Sequence, residues 1–80
     1  MRVEVRLYAT FSDHAPSKRA GEPFQINIED SPSLTDLIRK LKIPEKEVHL
    51  IMVNGRVIHD RSFRLSEADR IGLFPPVGGG

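Results

Sequence analysis

Ser33-Leu34-Thr35-Asp36-Leu37-Ile38-Arg39-Lys40-Leu41 carries a helical period. Leu34, Leu37, Ile38 and Leu41 fall at i, i+3, i+4 and i+7 and make one apolar stripe. Ser33 is a good N-cap, and Asp36, three residues on, comes close to a capping box. Arg39, Lys40 and Lys42 load the C-terminal turn with cations, which suits the helix dipole. Pro44 is expected to stop the helix, because it has no N–H to donate. One amphipathic helix needs one sheet face to cover it.

The sequence on both sides of the helix has a period of two. Between Arg2 and Tyr8, the residues Val3, Val5 and Leu7 fall on one face and Arg2, Glu4, Arg6 and Tyr8 on the other. Phe24, Ile26 and Ile28 alternate again. Residues 12–22 between them contain Pro16 and Gly21, show no period and read as a loop. After the helix, His49 to Val53 is apolar and β-prone. Asn54-Gly55 then separates it from Arg56-Val57-Ile58, which predicts a hairpin with a type I′ turn and positive φ at both turn residues. Residues 59–70 are polar and irregular, with Phe63 and Leu65 as core plugs. Ile71-Gly72-Leu73-Phe74 is a final strand, ended by Pro75-Pro76, which cannot donate to a ladder.

The element order is strand, strand, helix, strand, strand, strand. It predicts an α+β fold in which a mixed sheet of four to five strands packs on one main helix. With the first and last strands side by side in the centre, that is a ubiquitin-like β-grasp. A small barrel with a capping helix is the structural alternative. Residues 1–74 are expected to form the single domain, and 75–80 a flexible tail.

Composition narrows the function. Eighty residues are room for one domain, which buries only about 60% of its unfolded surface. Twelve basic residues face eleven acidic ones, so nothing calls for nucleic acid. The chain has no cysteine, which removes disulfides, thiol catalysis and Cys-based metal sites. His14, His49 and His59 are widely spaced and lack a metal-ligand pattern. His59-Asp60 reads as an ordinary loop pair, since neighbours in sequence rarely face each other. No apolar run approaches a membrane span and the N-terminus lacks a secretory signal, so a cytoplasmic location is expected. No glycine pattern forms a phosphate-binding loop.

The unusual feature is the ending, Leu73-Phe74-Pro75-Pro76-Val77-Gly78-Gly79-Gly80. Pro75-Pro76 stiffens its base, and glycines without side chains can be drawn through a narrow channel. Six residues reach roughly 20 Å when extended. The bland alternative is a frayed terminus or a cloning scar.

These residues carry a resemblance. The opening strand Val3 to Ala9, the helix Leu34 to Leu41, the hairpin Val53 to Val57 and the ending Ile71 to Gly80 are similar to the ubiquitin-like sulfur-carrier family. That family includes the small subunit of molybdopterin synthase, which the chain resembles most, and the thiamine-biosynthesis carrier. Three positions depart from the family pattern. Ser12-Asp13 stands where the molybdopterin branch often has Arg-Glu, Ala68-Asp69 replaces Gly-Asp before the last strand, and Gly78 replaces a more usual Ala, Ser or Thr. If the turn before the last strand needs positive φ, Ala68 is strained.

The resemblance implies a carrier with no catalytic residues and no bound cofactor or metal of its own. Gly80 is the implied site of AMP and then sulfur attachment, and Pro75, Pro76, Val77, Gly78 and Gly79 let the tail thread. ATP would enter through a partner adenylyltransferase, and sulfur through a donor such as a persulfide enzyme. The large subunit of molybdopterin synthase, or an equivalent acceptor enzyme, would receive it. Tyr8, Val57 and Phe74 match partner-facing positions of the molybdopterin branch, and by alternation Leu50 and Met52 share that face. No nucleic acid or membrane partner is implied. The alternatives are a carrier for thiamine or a sulfur amino acid, a protein modifier joined through Gly80 to lysines, and a non-covalent β-grasp binding module.

Overall fold

Helix α1 spans Leu34–Lys40 and is closed at both ends by specific hydrogen bonds. This is seen in a computed structural model that describes residues 1–76. At the N-terminus the capping box is complete: the Asp36 N–H donates to Ser33 Oγ at 3.1 Å and the Ser33 N–H to Asp36 Oδ2 at 2.9 Å. The other exposed N–H groups of the first turn go to the irregular segment 59–70, Leu34 to the Phe63 carbonyl and Thr35 to the Arg61 carbonyl, both at 3.1 Å. At the C-terminus the expected stop at Pro44 is corrected. The chain turns earlier, at Lys42 with φ +62°. There the Lys42 N–H bonds the Arg39 carbonyl and the Ile43 N–H the Ile38 carbonyl, a Schellman motif with lysine where glycine is usual. Pro44 only follows.

Five strands form one open mixed sheet in the order β2-β1-β5-β3-β4. They are β1 (Arg2–Leu7), β2 (Phe24–Asn27), β3 (Leu50–Val53), β4 (Arg56–Val57) and β5 (Arg70–Phe74). β1 runs parallel to β5 in the centre, and the other neighbours are antiparallel. A parallel pair needs a long crossover, and α1 lies within it. β2 and β4 are the two edges, so the β-grasp stands and the barrel does not. Asn54 and Gly55 both have positive φ, +51° and +83°, as the hairpin requires.

The core lies between sheet and helix. Val3, Val5 and Leu7 of β1, Ile71 and Leu73 of β5, and Leu34, Leu37 and Ile38 of α1 are almost fully buried, and Leu65 plugs one end. Phe63 and Ile26 are half-buried and pack against this cluster. Three contributors do not stand out from the periodicity. Residues 12–22 are not wholly irregular, because a 3₁₀ segment covers Ala9–His14 and buries Phe11. Ile43 and Val48 flank a second 3₁₀ turn, Glu45–Glu47, and are also buried. Isolated apolar residues in non-periodic stretches carry no pattern, so only the closed fold reveals them.

Arg61 ties these outlying segments together. Its guanidinium donates to the carbonyls of Glu45 at 3.0 Å and Val48 at 2.6 Å, while its own carbonyl caps the helix.

Ala68 has φ +68°, so the turn before β5 does take the left-handed conformation. Its N–H bonds the Arg2 carbonyl at 2.8 Å, which holds it there. An L-residue pays for this conformation and glycine does not, so Ala68→Gly should raise stability by about 0.5–1 kcal/mol. In a domain this small that corresponds to a Tm increase of a few degrees. A melting curve unchanged or lowered would contradict this.

Candidate functional site

The alternation that buries Val3, Val5, Leu7, Ile71 and Leu73 turns the intervening residues away from the helix. Glu4 sits opposite Arg70 in the register. Arg6, Gly72, Met52 and Val57 form the next row across four strands, and Phe74 lies opposite Leu50. Tyr8 is one residue past β1, but its N–H donates to the Leu73 carbonyl at 3.2 Å and continues the ladder. Tyr8, Leu50, Met52, Val57 and Phe74 therefore share one outer face. Val57 is 46% exposed and the other four are half-buried.

Tyr8 and Phe74 are stacked, with ring centroids 4.2 Å apart and planes within 5°. Two glycines make room for the pair. A Cβ on Gly72 would lie 3.4 Å from both Tyr8 Cε2 and Phe74 Cε1. A Cβ on Gly21 would lie 3.3 Å from Tyr8 Cε1, and φ +77° there also favours glycine. The Gly21 N–H bonds the Leu7 carbonyl at 2.8 Å, which fixes the loop against the ring. Neither glycine is a site residue on sequence grounds, although a lone glycine inside a strand is a known sign of close approach.

Phe74 leads directly into Pro75 and Pro76, so the aromatic pair stands at the base of the tail. Val77, Gly78, Gly79 and Gly80 lie outside the described residues.

The histidines do not converge. His49 and His59 are exposed, and the His14 imidazole Nδ1 lies 3.2 Å from the Leu41 carbonyl. Asp60 accepts from the Ser62 hydroxyl and N–H, not from His59. Among the described residues no three His, Asp or Glu side chains are grouped to hold a metal, and no helix is long and apolar enough to cross a membrane.

Two carboxyls are perturbed, both off the outer face. The Ser33 N–H holds Asp36 below its ordinary 3.8, helped by the Ser33 hydroxyl. The Ser62 hydroxyl and then its N–H do the same for Asp60. The ionised forms favour the fold above pH 3.8, and this contribution disappears as pH falls through the lower folded-state values. Acid denaturation of Asp36→Asn should accordingly show a shallower loss of stability below that pH than the parent. An identical slope would mean that the capping box does not bind the carboxylate preferentially.

The profile of the ThiS family matches residues 14–80. The chain belongs to the ThiS family. A protein described as molybdopterin converting factor subunit 1 from Pyrococcus furiosus is 27% identical, with 96% of this chain and 99% of that one covered and a TM-score of 0.70. A chain in the complex of subunits 1 and 2 of the molybdopterin-converting factor from Helicobacter pylori is 32% identical over the full length of both, with a TM-score of 0.62. SAMP1 from Haloferax volcanii covers both chains fully with a TM-score of 0.68, but at 17% identity it bears on the fold alone. Comparison with curated proteins produced no significant match. This ThiS-family protein is thus a small ubiquitin-fold chain of the sulfur-carrier type.

Proposed function

We propose that this ThiS-family protein carries sulfur for the synthesis of molybdopterin or the related tungsten cofactor. The observation that carries the proposal is the full-length 32% identity to a chain of the Helicobacter pylori subunit 1–subunit 2 complex. The aromatic face at the base of the tail supports it, because such a face is suited to docking beside a threaded tail. Identity of 27% and 32% to the two converting-factor chains, against 17% to the archaeal modifier, favours the carrier over the modifier reading.

A carboxylate is a poor acyl donor, since its charge repels nucleophiles and oxide is a bad leaving group. In the proposed sequence the Gly80 carboxylate attacks the α-phosphorus of ATP and pyrophosphate leaves. A sulfide then attacks the acyl carbon of the mixed anhydride and AMP leaves, which gives a thiocarboxylate. With a protein persulfide as nucleophile, a thiol must then reduce the acyl disulfide to release it. The adenylyltransferase supplies the ATP site and the catalytic groups. The carrier contributes its docking face, the Pro75-Pro76 base and the side-chain-free Gly78, Gly79 and Gly80. The cytoplasm is the proposed location.

Intact mass after expression beside the organism's own adenylyltransferase tests this. The expected product is heavier by the difference between sulfur and oxygen, with the change mapping to Gly80. An unmodified chain in the presence of ATP, sulfur donor and active adenylyltransferase would move the non-covalent binding module to first place.

A further inference from the structure

The turn between β3 and β4 is chemically labile as well as tight. Asparagine followed by glycine is prone to lose ammonia, because the next backbone nitrogen can reach the side-chain carbonyl carbon and glycine has no Cβ to obstruct it. The chain has two asparagines. Asn27 precedes the β-branched Ile28, which hinders that attack. Asn54 precedes Gly55, and both are exposed to water.

The fold holds the Asn54 side chain away from this reaction. Nδ2 donates to Asp69 Oδ1 at 2.9 Å, and Oδ1 accepts from the Arg70 N–H at 2.9 Å. These partners also fix which atom is which, since a carboxylate needs a donor and an N–H an acceptor. The backbone adds a third bond, from the Asn54 N–H to the Arg70 carbonyl at 2.8 Å. Asp69 is itself anchored, its Oδ2 accepting from the Ser66 N–H at 2.8 Å. Attack requires the side chain to swing over the Gly55 nitrogen, which breaks both amide bonds to the start of β5.

We propose that Asn54 is a site of spontaneous deamidation, kept unreactive in the folded chain by its clamp to Asp69 and Arg70. When the hairpin opens, the Gly55 nitrogen bonds to Asn54 Cγ, the Cγ–Nδ2 bond breaks, and the proton lost from Gly55 leaves with ammonia. Water then opens the cyclic imide at either carbonyl, giving aspartate or isoaspartate. Neither product restores the clamp. Aspartate sets a carboxylate against Asp69 where the amide donated, and isoaspartate lengthens the backbone of a two-residue turn by one methylene. The reaction needs only water and is independent of sulfur transfer.

Prolonged incubation of the full-length chain in mildly alkaline buffer, with peptide mapping that separates asparagine, aspartate and isoaspartate at residue 54, tests this. Folded wild-type chain should convert at least about tenfold more slowly than the same chain in unfolding urea, because reaction awaits opening of the hairpin. Asp69→Ala removes the acceptor of Nδ2. It should convert several-fold faster than wild type, and faster than the urea rate multiplied by its own unfolded fraction. The Arg70 N–H of the wild-type chain should exchange slowly with solvent, a readout that stands even where Asp69→Ala fails to fold. Converted chain, separated by its added charge, should melt below its parent. Conversion of folded wild type at the urea rate overturns the proposal. So does a folded Asp69→Ala that converts at the wild-type rate, an Arg70 N–H that exchanges freely, or a converted chain that melts with its parent.

Discussion

Deleting Gly80 is expected to abolish thiocarboxylate formation while leaving the melting temperature unchanged. The deletion makes Gly79 the new carboxylate, displaced by one residue or about 3.3–3.6 Å. Reacting atoms must come within about 3–3.5 Å, and a misplacement near 1 Å already costs ~100-fold. An adenylating site that accepts the native tail therefore meets a carboxylate well out of reach of the α-phosphorus. Stability should not follow, because β5 ends at Phe74 and, among the described residues, the buried core draws on none beyond Leu73. The assay is thiocarboxylate formation with ATP, a sulfur donor and the cognate adenylyltransferase, alongside a thermal melt. Thiolation of the truncated chain at the wild-type rate would show that Gly80 is not the reacting residue.

The second large effect is the converse, a loss of fold with the tail intact. Leu37 is fully buried at the centre of the α1 stripe, between Leu34 and Ile38 on the helix and the inward face of the sheet. Leu37→Ala removes the transfer energy of the lost methyl groups and leaves a cavity, together about 2–5 kcal/mol. Domains are stable by only about 5–15 kcal/mol, and one this small belongs at the low end. The variant should unfold at a much lower urea midpoint with its m-value preserved, and sulfur transfer should fall with the folded fraction. A loss under about 0.5 kcal/mol would mean that the stripe does not face the core, against its burial.

Much of this architecture is written locally. The 3.6-residue period of Leu34, Leu37, Ile38 and Leu41, the two-residue period of Val3, Val5 and Leu7, and the Asn54-Gly55 turn each depend on neighbours a few residues away. Such preferences survive in any context that offers an apolar face. The same alternation places Tyr8, Phe74, Leu50 and Met52 opposite the core, so most of the outer face is legible before any strand is paired, and Val57 joins it through the resemblance. The left-handed turn at Ala68 is foreshadowed only through the resemblance, whose family pattern has Gly-Asp before the last strand.

What depends on distant partners is not legible. Phe11, Ile43 and Val48 join the core because the chain closes over them, and no period marks them. The helix ends at Lys40, and the chain reverses at Lys42 rather than at Pro44 because Ile43 gains burial by folding back, an energy that exists only once the core is present. Arg61 sits in an irregular polar stretch, and only the folded chain brings the carbonyls of Glu45 and Val48 to its guanidinium. Gly21 and Gly72 lie far apart in sequence and meet at one tyrosine ring. Periodicity decides which face a side chain takes, because the backbone repeat is local. Register and long-range closure decide which residues meet on that face, and both are properties of the assembled sheet.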